Sequence, residues 1–286
     1  AFLPGQREIL KAHEILRRDL PGWAIHPLYG VLPQHKQNAA IFPDKNGKRK
    51  VVLATSIAET SLTIEGIKIV VDSGFGRVSR FDPNSGPSRL ETIHISIDSA
   101  DQRAGRAGRL SPGVCYRMWS PTTQQRMTEH RTPEIMEADL ASLVLDMAQW
   151  GIMDIQQLTW LTPPPKGPLA QATDLLHQLE ALENGRITTH GKRMLKLPCH
   201  PRIAHMLLMA KEHDTVALGT DVAALLEERD PLGREAGIDI NTRIDALRAH
   251  RRENREGRKM GRIEKIADQY RRLFDLYPDN SHVDPY

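Results

Sequence analysis

The first 118 residues alternate between short apolar runs and stretches with helical spacing. The apolar runs are rich in β-branched residues and are bounded by Gly, Pro or charged residues, a pattern typical of strands. They fall at residues 23–30, 50–55, 67–74 and 113–119. Between them, residues 6–20 and 32–42 carry the apolar spacing of helices. Strands that alternate with helices predict an α/β lobe whose parallel sheet is covered on both faces.

Residues 78–96 follow a different pattern. Two runs that alternate between polar and apolar residues flank the sequence Asp-Pro-Asn-Ser-Gly-Pro at 82–87. Because Asp, Asn, Pro and Gly are the residues that turns require, the pattern predicts a β-hairpin.

The strand signal fades after Trp119, and the remaining pattern is mostly helical. Residues 133–151 form an amphipathic helical pattern that ends at Gly151, a favoured residue for capping a helix. Residues 167–198 indicate helix, turn, short β segment and helix, the order of a winged helix, and residues 241–276 indicate one long charged helix. The sequence therefore predicts an α/β lobe at 1–128, a winged helix at 129–200 and a helical region at 201–286.

The composition is that of an ordinary soluble globular protein, with 40% hydrophobic and 26% charged residues in a chain of 286. There is no apolar run long enough to span a membrane and no signal peptide, so we expect a cytoplasmic protein without a membrane partner. Cys115 and Cys199 are the two cysteines, and two distant thiols fit a reducing compartment. The chain opens within an apolar segment and stops without a capping pattern, which is typical of a part of a larger protein.

The sequence predicts no metal site. Cys199, His200 and His205 cluster in one segment. Three potential ligands without a second matched pair are weak evidence for zinc.

Positive charge is concentrated towards the end of the chain. Residues 243–272 hold eleven Lys or Arg against five acidic residues, whereas the whole chain has a formal net charge of only +3. Such a basic stretch is typical of a segment that binds a polyanion. It predicts that Arg251, Arg252 and Arg255 contact the phosphates of a nucleic acid. A solvated helix face is the alternative, which the pattern leaves open.

Arginines recur at a spacing of three within residues 99–113. On a helix, Gln102, Arg106 and Arg109 lie at i, i+4 and i+7 and share one face, while Arg103 points elsewhere. Two glycines between these arginines disfavour a merely structural helix. Guanidinium groups match phosphate oxygens in shape and charge, and a neighbouring glutamine can orient a water. The pattern indicates a phosphoryl-transfer site with Gln102, Arg106 and Arg109 as its catalytic residues.

Other parts of such a site are absent from the sequence. Neither a G-x-x-x-x-G-K-S/T phosphate loop nor an Asp-Glu-Ala-His tetrad occurs. We therefore expect the groups that hold Mg²⁺ and the β-phosphate of ATP to lie outside this chain.

Four segments resemble motifs of superfamily 2 helicases of the DEAH-box branch. QRAGRAGR at 102–109 resembles motif VI, and ATSIAETSLTIEG at 54–66 resembles motif V. FLPG at 2–5 resembles motif IV, and PLYGVLP at 27–33 matches the segment that follows it. The order and spacing of the four segments also match those of the motifs in this family. The resemblance implies the second RecA-like lobe, the winged helix and the start of the helical ratchet region of an ATP-dependent RNA helicase.

On the nucleotide side, the resemblance assigns catalysis to the arginine motif, with Arg106 or Arg109 as an arginine finger. It places Thr63 and Glu65 near the ribose and phosphates of ATP. Glu65 stands where many relatives have Asp, so its ribose contact differs in geometry. Phe42 aligns with the aromatic residue that stacks on adenine, although a lone Phe after a helix is as commonly a core residue.

On the nucleic-acid side, the resemblance places Thr55 and Ser56 near the RNA backbone and makes Ser61 the sensor of nucleotide state. Position 56 is usually Asn, so the Ser56 contact is shortened or lost. The expected partners are single-stranded nucleic acid, with RNA favoured, and a first RecA-like lobe that completes the Mg²⁺·ATP site. We expect the hairpin to act as a wedge against a duplex. The second hypothesis is a stand-alone nucleic-acid-binding or scaffolding module without catalysis.

Overall fold

The structure of the chain is a computed structural model. It describes residues 1–44, 46–59, 63–81, 88–109, 111–152, 154, 158–228, 230–253 and 258–275. The chain divides into two compact units, Ala1–Ala138 and Asp139–Tyr286. The domain limits predicted at residues 128 and 200 stay predictions.

Strands and helices alternate in the first unit, as the sequence predicts. The strands are β1 (Ala24–Leu28), β2 (Lys50–Ala54), β3 (Ile69–Asp72), β4 (Phe75–Phe81), β5 (Ser88–His94) and β6 (Val114–Arg117). The helices are α1 (Gln6–Asp19), α2 (Gln34–Ile41), α3 (Ile97–Ala104) and α4 (Pro121–Arg126). β1 pairs with β2 and β3 pairs with β6, both in parallel, and Phe2 forms parallel bridges to Ala54 of β2 and Asp72 of β3. The predicted α/β class with a parallel sheet is confirmed.

Both faces of this sheet are buried, because successive side chains of a strand point to opposite faces. On one face, Ile25 and Leu53 pack with Ile9 of α1. On the other face, Leu28 and Val52 belong to a cluster that includes α2. Burial on both faces explains why these strands are continuous apolar runs in the sequence.

β4 and β5 form the two strands of the predicted hairpin. β4 and β5 pair in antiparallel register from Phe75 opposite His94 to Phe81 opposite Ser88. The turn at 82–87, on which the expected wedge depends, lies outside the described residues.

The described residues of the second unit are mainly helical. The helices are α5 (Ala141–Gln149), α6 (Lys166–Gln178), α7 (Thr189–Met194), α8 (Pro201–Glu212), α9 (Val216–Glu227), α10 (Ile240–Glu253) and α11 (Arg258–Leu273). A two-stranded hairpin of β7 (Leu182–Glu183) and β8 (Arg186–Ile187) lies between α6 and α7 in sequence. This is the order of elements expected over 167–198, while the assignment to a winged helix stays a prediction. Within the described ranges, no helix is both long and apolar enough to cross a membrane.

The helix predicted over 133–151 is wrong in its first half. A short 3-10 helix covers Glu134–Met136, and α5 begins only at Ala141. The Asp139 carboxylate accepts a hydrogen bond from the backbone amide of Ala141 at 2.7 Å, which favours a new helix start at this point. The end of the pattern is confirmed, since Gly151 follows α5 with a φ of +80°.

The single long helix predicted over 241–276 is also wrong. α10 and α11 occupy this range, and Nε of Arg251 donates to Oε1 of Glu264 at 3.0 Å. In one continuous helix, thirteen residues would separate the two positions by about 20 Å. Ile244 of α10 and Ile263 of α11 instead share one buried cluster with α9. Packing on α9, which the local pattern does not show, determines the fold of this segment.

Candidate functional site

The parallel topology brings two distant segments to the same edge of the sheet. Glu65 lies in the connection that leads into β3, while Arg106 and Arg109 lie in the connection that leads into β6. Because β3 and β6 are parallel neighbours, both connections reach the amino end of the sheet. The three residues line one cavity there.

This cavity has a volume of about 860 Å³ and two kinds of wall. The apolar wall includes Phe2, Val51 and Val52 of β2, and Ile69 and Val70 of β3. The other, the charged wall, includes Lys50, Glu65, Arg106 and Arg109. Guanidinium and ammonium groups bind phosphate oxygens, and a carboxylate accepts hydrogen bonds from hydroxyl groups. The charged wall is therefore the candidate site.

The chain's own backbone holds Arg106 at the charged wall. Nη2 of Arg106 donates to the carbonyl oxygen of Glu59, and the side chain is partly buried. Burial, and after it the positive charge of Arg109, lowers the pKa of Arg106. Arg106 and Arg109 line the same cavity. Two neighbouring positive charges at one wall suit a ligand with several negative charges.

The helical face predicted for Gln102, Arg106 and Arg109 is wrong. α3 ends at Ala104, so Arg106 and Arg109 lie in the turns that follow the helix. Gln102 is exposed on α3 and is not part of the cavity lining. The structure thus brings the two arginines together with Glu65 and leaves the glutamine apart.

Glycine is required at one position of this turn and not at another. A Cβ at Gly113 would clash with the carbonyl oxygen of Ala107, so only glycine lets the chain fold back against the turn that carries the arginines. A Cβ at Gly108 would meet nothing within 4 Å. The open surface at Gly108 leaves space for a ligand beside Arg109.

Arg103 differs from the other two arginines of the motif. It is only 1% exposed and forms ion pairs with Glu59 and Asp72. Unlike Arg106 and Arg109, Arg103 is not part of the cavity lining. One arginine of the motif is part of the core, and two face the cavity.

Phe42 and Thr63 lie outside the cavity lining, and both are exposed. The exposed fraction of Phe42 is 61%, which excludes the alternative of a core residue. The Lys50 ammonium donates to the carbonyl oxygens of Ala40, Ile41 and Phe42 at 2.9–3.3 Å and fixes the end of α2. The Phe42 ring is therefore available for stacking on a flat ligand.

Thr55 and Ser56 lie at the opposite edge of the sheet, directly after the carboxyl end of β2. Ser56 is exposed and begins a 3-10 helix, Ser56–Ala58. It lines a second cleft of about 210 Å³. The lining of this cleft also includes Arg77, Arg80, Arg131 and Thr132. The expected sensor, Ser61, lies outside the described residues.

Arg131 is a candidate that the sequence does not reveal. Arg80 forms ion pairs with Glu91 and Glu137, and Arg77 forms one with Glu8. The side chain of Arg131 is exposed and forms no ion pair with the residues that the structure describes. No motif marks Arg131 in the sequence, and only the fold places it in the same cleft as Ser56.

The basic segment of α10 and α11 is largely engaged in ion pairs within its own unit. Asp221 of α9, which is 2% exposed, accepts hydrogen bonds from Arg251 at 2.8 Å and from Arg271 at 2.5 Å. Glu264 accepts from both arginines at 3.0 Å. Burial disfavours the charged form of Arg251, but its hydrogen bonds to Glu264 and Asp221 outweigh burial and raise its pKa. Arg251 therefore stabilises helix packing, whereas Arg252 is exposed. Arg255 lies outside the described residues.

The cysteine and histidines of residues 199–205 form separate contacts. Burial raises the pKa of Cys199 to about 11, which keeps the thiol protonated. His200 pairs with Asp139 at 3.0 Å, and His205 contacts His190 at 3.0 Å. The described part of the chain contains no group of three or more side chains that could hold a metal ion.

The class of protein to which this parallel-sheet lobe belongs follows from a comparison with known families. Residues 1–111 match the family model described as the Helicase conserved C-terminal domain. The first unit therefore contains the C-terminal domain of a helicase.

The particular relatives point to one type of helicase. The chain is similar to the ATP-dependent RNA helicase HrpB of Escherichia coli, with 45% identity over 233 residues that cover 81% of this chain and 29% of the relative. It is also similar to the probable ATP-dependent RNA helicase DHR2 of Saccharomyces cerevisiae, with 37% identity over 289 residues that cover 96% of this chain and 38% of the relative.

Two crystal structures of Escherichia coli HrpB, described as a DExH-box NTPase and as a DEAH/RHA helicase, match the fold with TM-scores of 0.73 and 0.78. Both are 39% identical to this chain and cover 96% of it, while the chain covers 32% and 33% of theirs. The chain belongs to the DEAH-box helicases, as a segment of the HrpB type. It spans about a third of the length of these relatives.

Proposed function

We propose that this chain supplies the second lobe of an ATP-dependent RNA helicase. The observation that carries the proposal is that Glu65, Arg106 and Arg109 reach one cavity through two different connections of the sheet. Two guanidinium groups that line one cavity can neutralise the negative charge that develops on a transferred phosphoryl group.

The residues around the cavity fit ATP as the substrate. Arg106 and Arg109 bind oxygens of the terminal phosphate, and Glu65 and Thr63 lie on the ribose side. The exposed ring of Phe42 stacks on the adenine. Since the sequence lacks a phosphate loop, we place Mg²⁺ and the remaining phosphate contacts on a first RecA-like lobe. We assign no catalytic step to Gln102, because α3 ends at Ala104 and the helical face that would join Gln102 to Arg106 and Arg109 does not form.

Single-stranded RNA is the proposed partner at the opposite edge of the sheet. Thr55 and Ser56 contact its backbone, and the cleft that includes Arg131 binds a further phosphate. Arg252 of α10 provides another exposed positive charge. Contacts to phosphates carry no sequence information, so we expect low sequence specificity. The proposed winged helix covers residues 129–200, and the proposed start of the ratchet region covers residues 201–286.

The proposal predicts that the isolated chain does not hydrolyse ATP, because arginines alone cannot hold Mg²⁺·ATP in place. The same chain joined to an ATP-binding lobe should hydrolyse ATP and respond to single-stranded RNA. Phosphate release by both forms, with and without RNA, is the measurement.

Turnover by the isolated chain that disappears in Arg106→Ala would contradict the proposed division of the site between two lobes. A longer form that binds RNA without hydrolysing ATP would instead support a nucleic-acid-binding module.

A further inference from the structure

Arg103 lies in the core of the first unit and is surrounded by partners. Its Nε donates to Oε1 of Glu59 at 2.7 Å, and its Nη1 donates to Oδ1 of Asp72 at 2.8 Å and to the carbonyl oxygen of Phe75 at 3.1 Å. The guanidinium also lies over the ring of Phe2, 4.9 Å from its centroid. Such a buried charge holds a fixed position, because displacement would leave charges without partners.

Glu59 joins this buried group to the arginine of the charged wall. Its carboxylate pairs with Arg103, and its carbonyl oxygen accepts a hydrogen bond from Arg106. Arg103 is the penultimate residue of α3, and Arg106 lies in the turn that follows it. Glu59 therefore holds both ends of this short turn.

Glu59 is also tied to the residues of the opposite edge. Its backbone amide donates to the carbonyl oxygen of Ser56 at 2.9 Å, and the amide of Ala58 donates to the carbonyl oxygen of Thr55 at 3.2 Å. One 3-10 turn thus connects Thr55 and Ser56 to Glu59. A bound nucleic-acid strand that shifts this turn also shifts the backbone carbonyl group of Glu59, which holds Arg106.

Stability alone does not account for the charges in this core. The carboxylates of Glu59 and Asp72 share the guanidinium of Arg103. Oδ2 of Asp72 is buried and has no hydrogen-bond partner in the described part of the chain. Apolar residues of similar volume would fill the site without such a buried, unpaired atom. What the charged group provides is a fixed geometry between three segments.

We propose that Glu59 is a positioning residue that couples strand binding at Thr55 and Ser56 to the placement of Arg106 at the nucleotide. Glu59 acts through Arg106. The inference rests on the proposed function, since it requires that Arg106 faces ATP and that Thr55 and Ser56 face the strand.

The test compares ATP hydrolysis with and without single-stranded RNA in the helicase that joins this chain to its ATP-binding lobe. Glu59→Gln retains the carbonyl group and the shape of the side chain but removes the charge that pairs with Arg103. We expect the ratio of the RNA-stimulated kcat to the RNA-free kcat to fall by about tenfold, within the range typical of coupling between two sites.

Three further variants separate positioning from folding. Asp72→Asn removes the negative charge of the other carboxylate that pairs with Arg103, and it should lower the melting temperature but keep the ratio. Glu59→Asp retains the charge and shortens its reach, so it should also lower the ratio, and it decides the question if Glu59→Gln does not fold. Glu14→Gln makes the same chemical change at an exposed position of α1 and should leave the ratio and the melting temperature unchanged.

Equal changes in the two rates of the Glu59 variants, or an unchanged ratio, overturn the coupling role. A wild-type helicase whose ATP hydrolysis does not respond to RNA overturns the proposed function itself, and the coupling with it.

Discussion

Arg103, Arg106 and Arg109 belong to one motif and have three different surroundings. Arg103 is enclosed by two carboxylates, Arg106 is partly buried and bound to a backbone carbonyl group, and Arg109 is exposed. A guanidinium that is enclosed by carboxylates cannot reach a ligand, whereas an exposed one can. At the residue scale, the burial of Arg103 therefore indicates a role in folding, whereas the exposure of Arg109 indicates a role in binding.

A histidine pair makes the stability of the second unit depend on pH. Burial, followed by the charges of His205 and Arg193, lowers the pKa of His190, while Glu212 and Glu180 oppose this shift. The folded pKa of His190 lies below its ordinary value of 6.5. Its contribution to stability is therefore fully present above the unfolded pKa and is lost as the pH falls below about 6.5.

We expect the free energy of unfolding to decrease as the pH falls from about 7 to about 5, by at most about 1.4 kcal/mol per pH unit for one proton. Urea unfolding at a series of pH values measures this slope. His190→Gln should make the slope shallower, and His35→Gln, at an exposed position, should not. The same slope in His190→Gln as in the wild type would show that this histidine is not the cause.

Single residues could be predicted from the sequence where a motif marks them. The resemblance places Arg106, Arg109 and Glu65 together, and the structure brings them to one cavity. The shared helical face with Gln102 was wrong, because a spacing of three and four residues does not distinguish a helix from the turns that follow its end. Arg131 has no local signal at all.

At the scale of elements, the connections that precede β3 and β6 build the charged wall. Apolar runs predict the four strands of the sheet, because strands buried on both faces have few polar residues. The break between α10 and α11 could not be predicted in this way. It depends on packing against α9, which is a contact between segments distant in sequence.

The ion pairs among α9, α10 and α11 should make a large contribution to stability. Asp221→Asn leaves Arg251 and Arg271 with Glu264 as their common carboxylate partner, and loss of one partner from a buried ion pair costs about 3 kcal/mol. Asp268→Asn is the matched control. It removes an exposed i,i+4 pair with Arg272, for which we expect about 0.5 kcal/mol or less.

Urea unfolding of the chain and of both variants measures this difference. Equal, small losses in Asp221→Asn and Asp268→Asn would mean that the buried network contributes no more than a surface pair.

The cleft that Ser56 and Arg131 line should bind one phosphate of a single-stranded nucleic acid. Arg131→Ala is expected to weaken RNA binding and to make the slope of log K against log salt shallower by about 0.7, the value for one phosphate of a single strand. Arg126→Ala removes the same charge from an exposed position of α4 outside the cleft lining. Binding titrations with single-stranded RNA at several salt concentrations measure both slopes. An equal change in the two variants would contradict a specific phosphate site.

At the scale of the whole molecule, one sheet carries the proposed nucleotide contacts at its amino edge and the proposed strand contacts at its carboxyl edge. The fold class and the helicase family follow from the order of motifs and elements, and both are confirmed. The limits of the later domains could not be tested in the same way, because short helices and a two-residue hairpin are common to several helical folds.

The central claim is that Arg106 and Arg109 act on the nucleotide, and its most direct test is steady-state ATP hydrolysis at saturating RNA by the helicase that contains this chain. Arg106→Ala and Arg109→Ala are compared with Arg126→Ala. We expect kcat to fall by about 10³–10⁵ for an arginine finger, with a much smaller change in KM for ATP, because the charge it neutralises develops in the transition state. Arg126→Ala should retain the wild-type kcat. If both Arg106→Ala and Arg109→Ala kept more than about a tenth of the wild-type kcat, the catalytic role assigned to the charged wall would be contradicted.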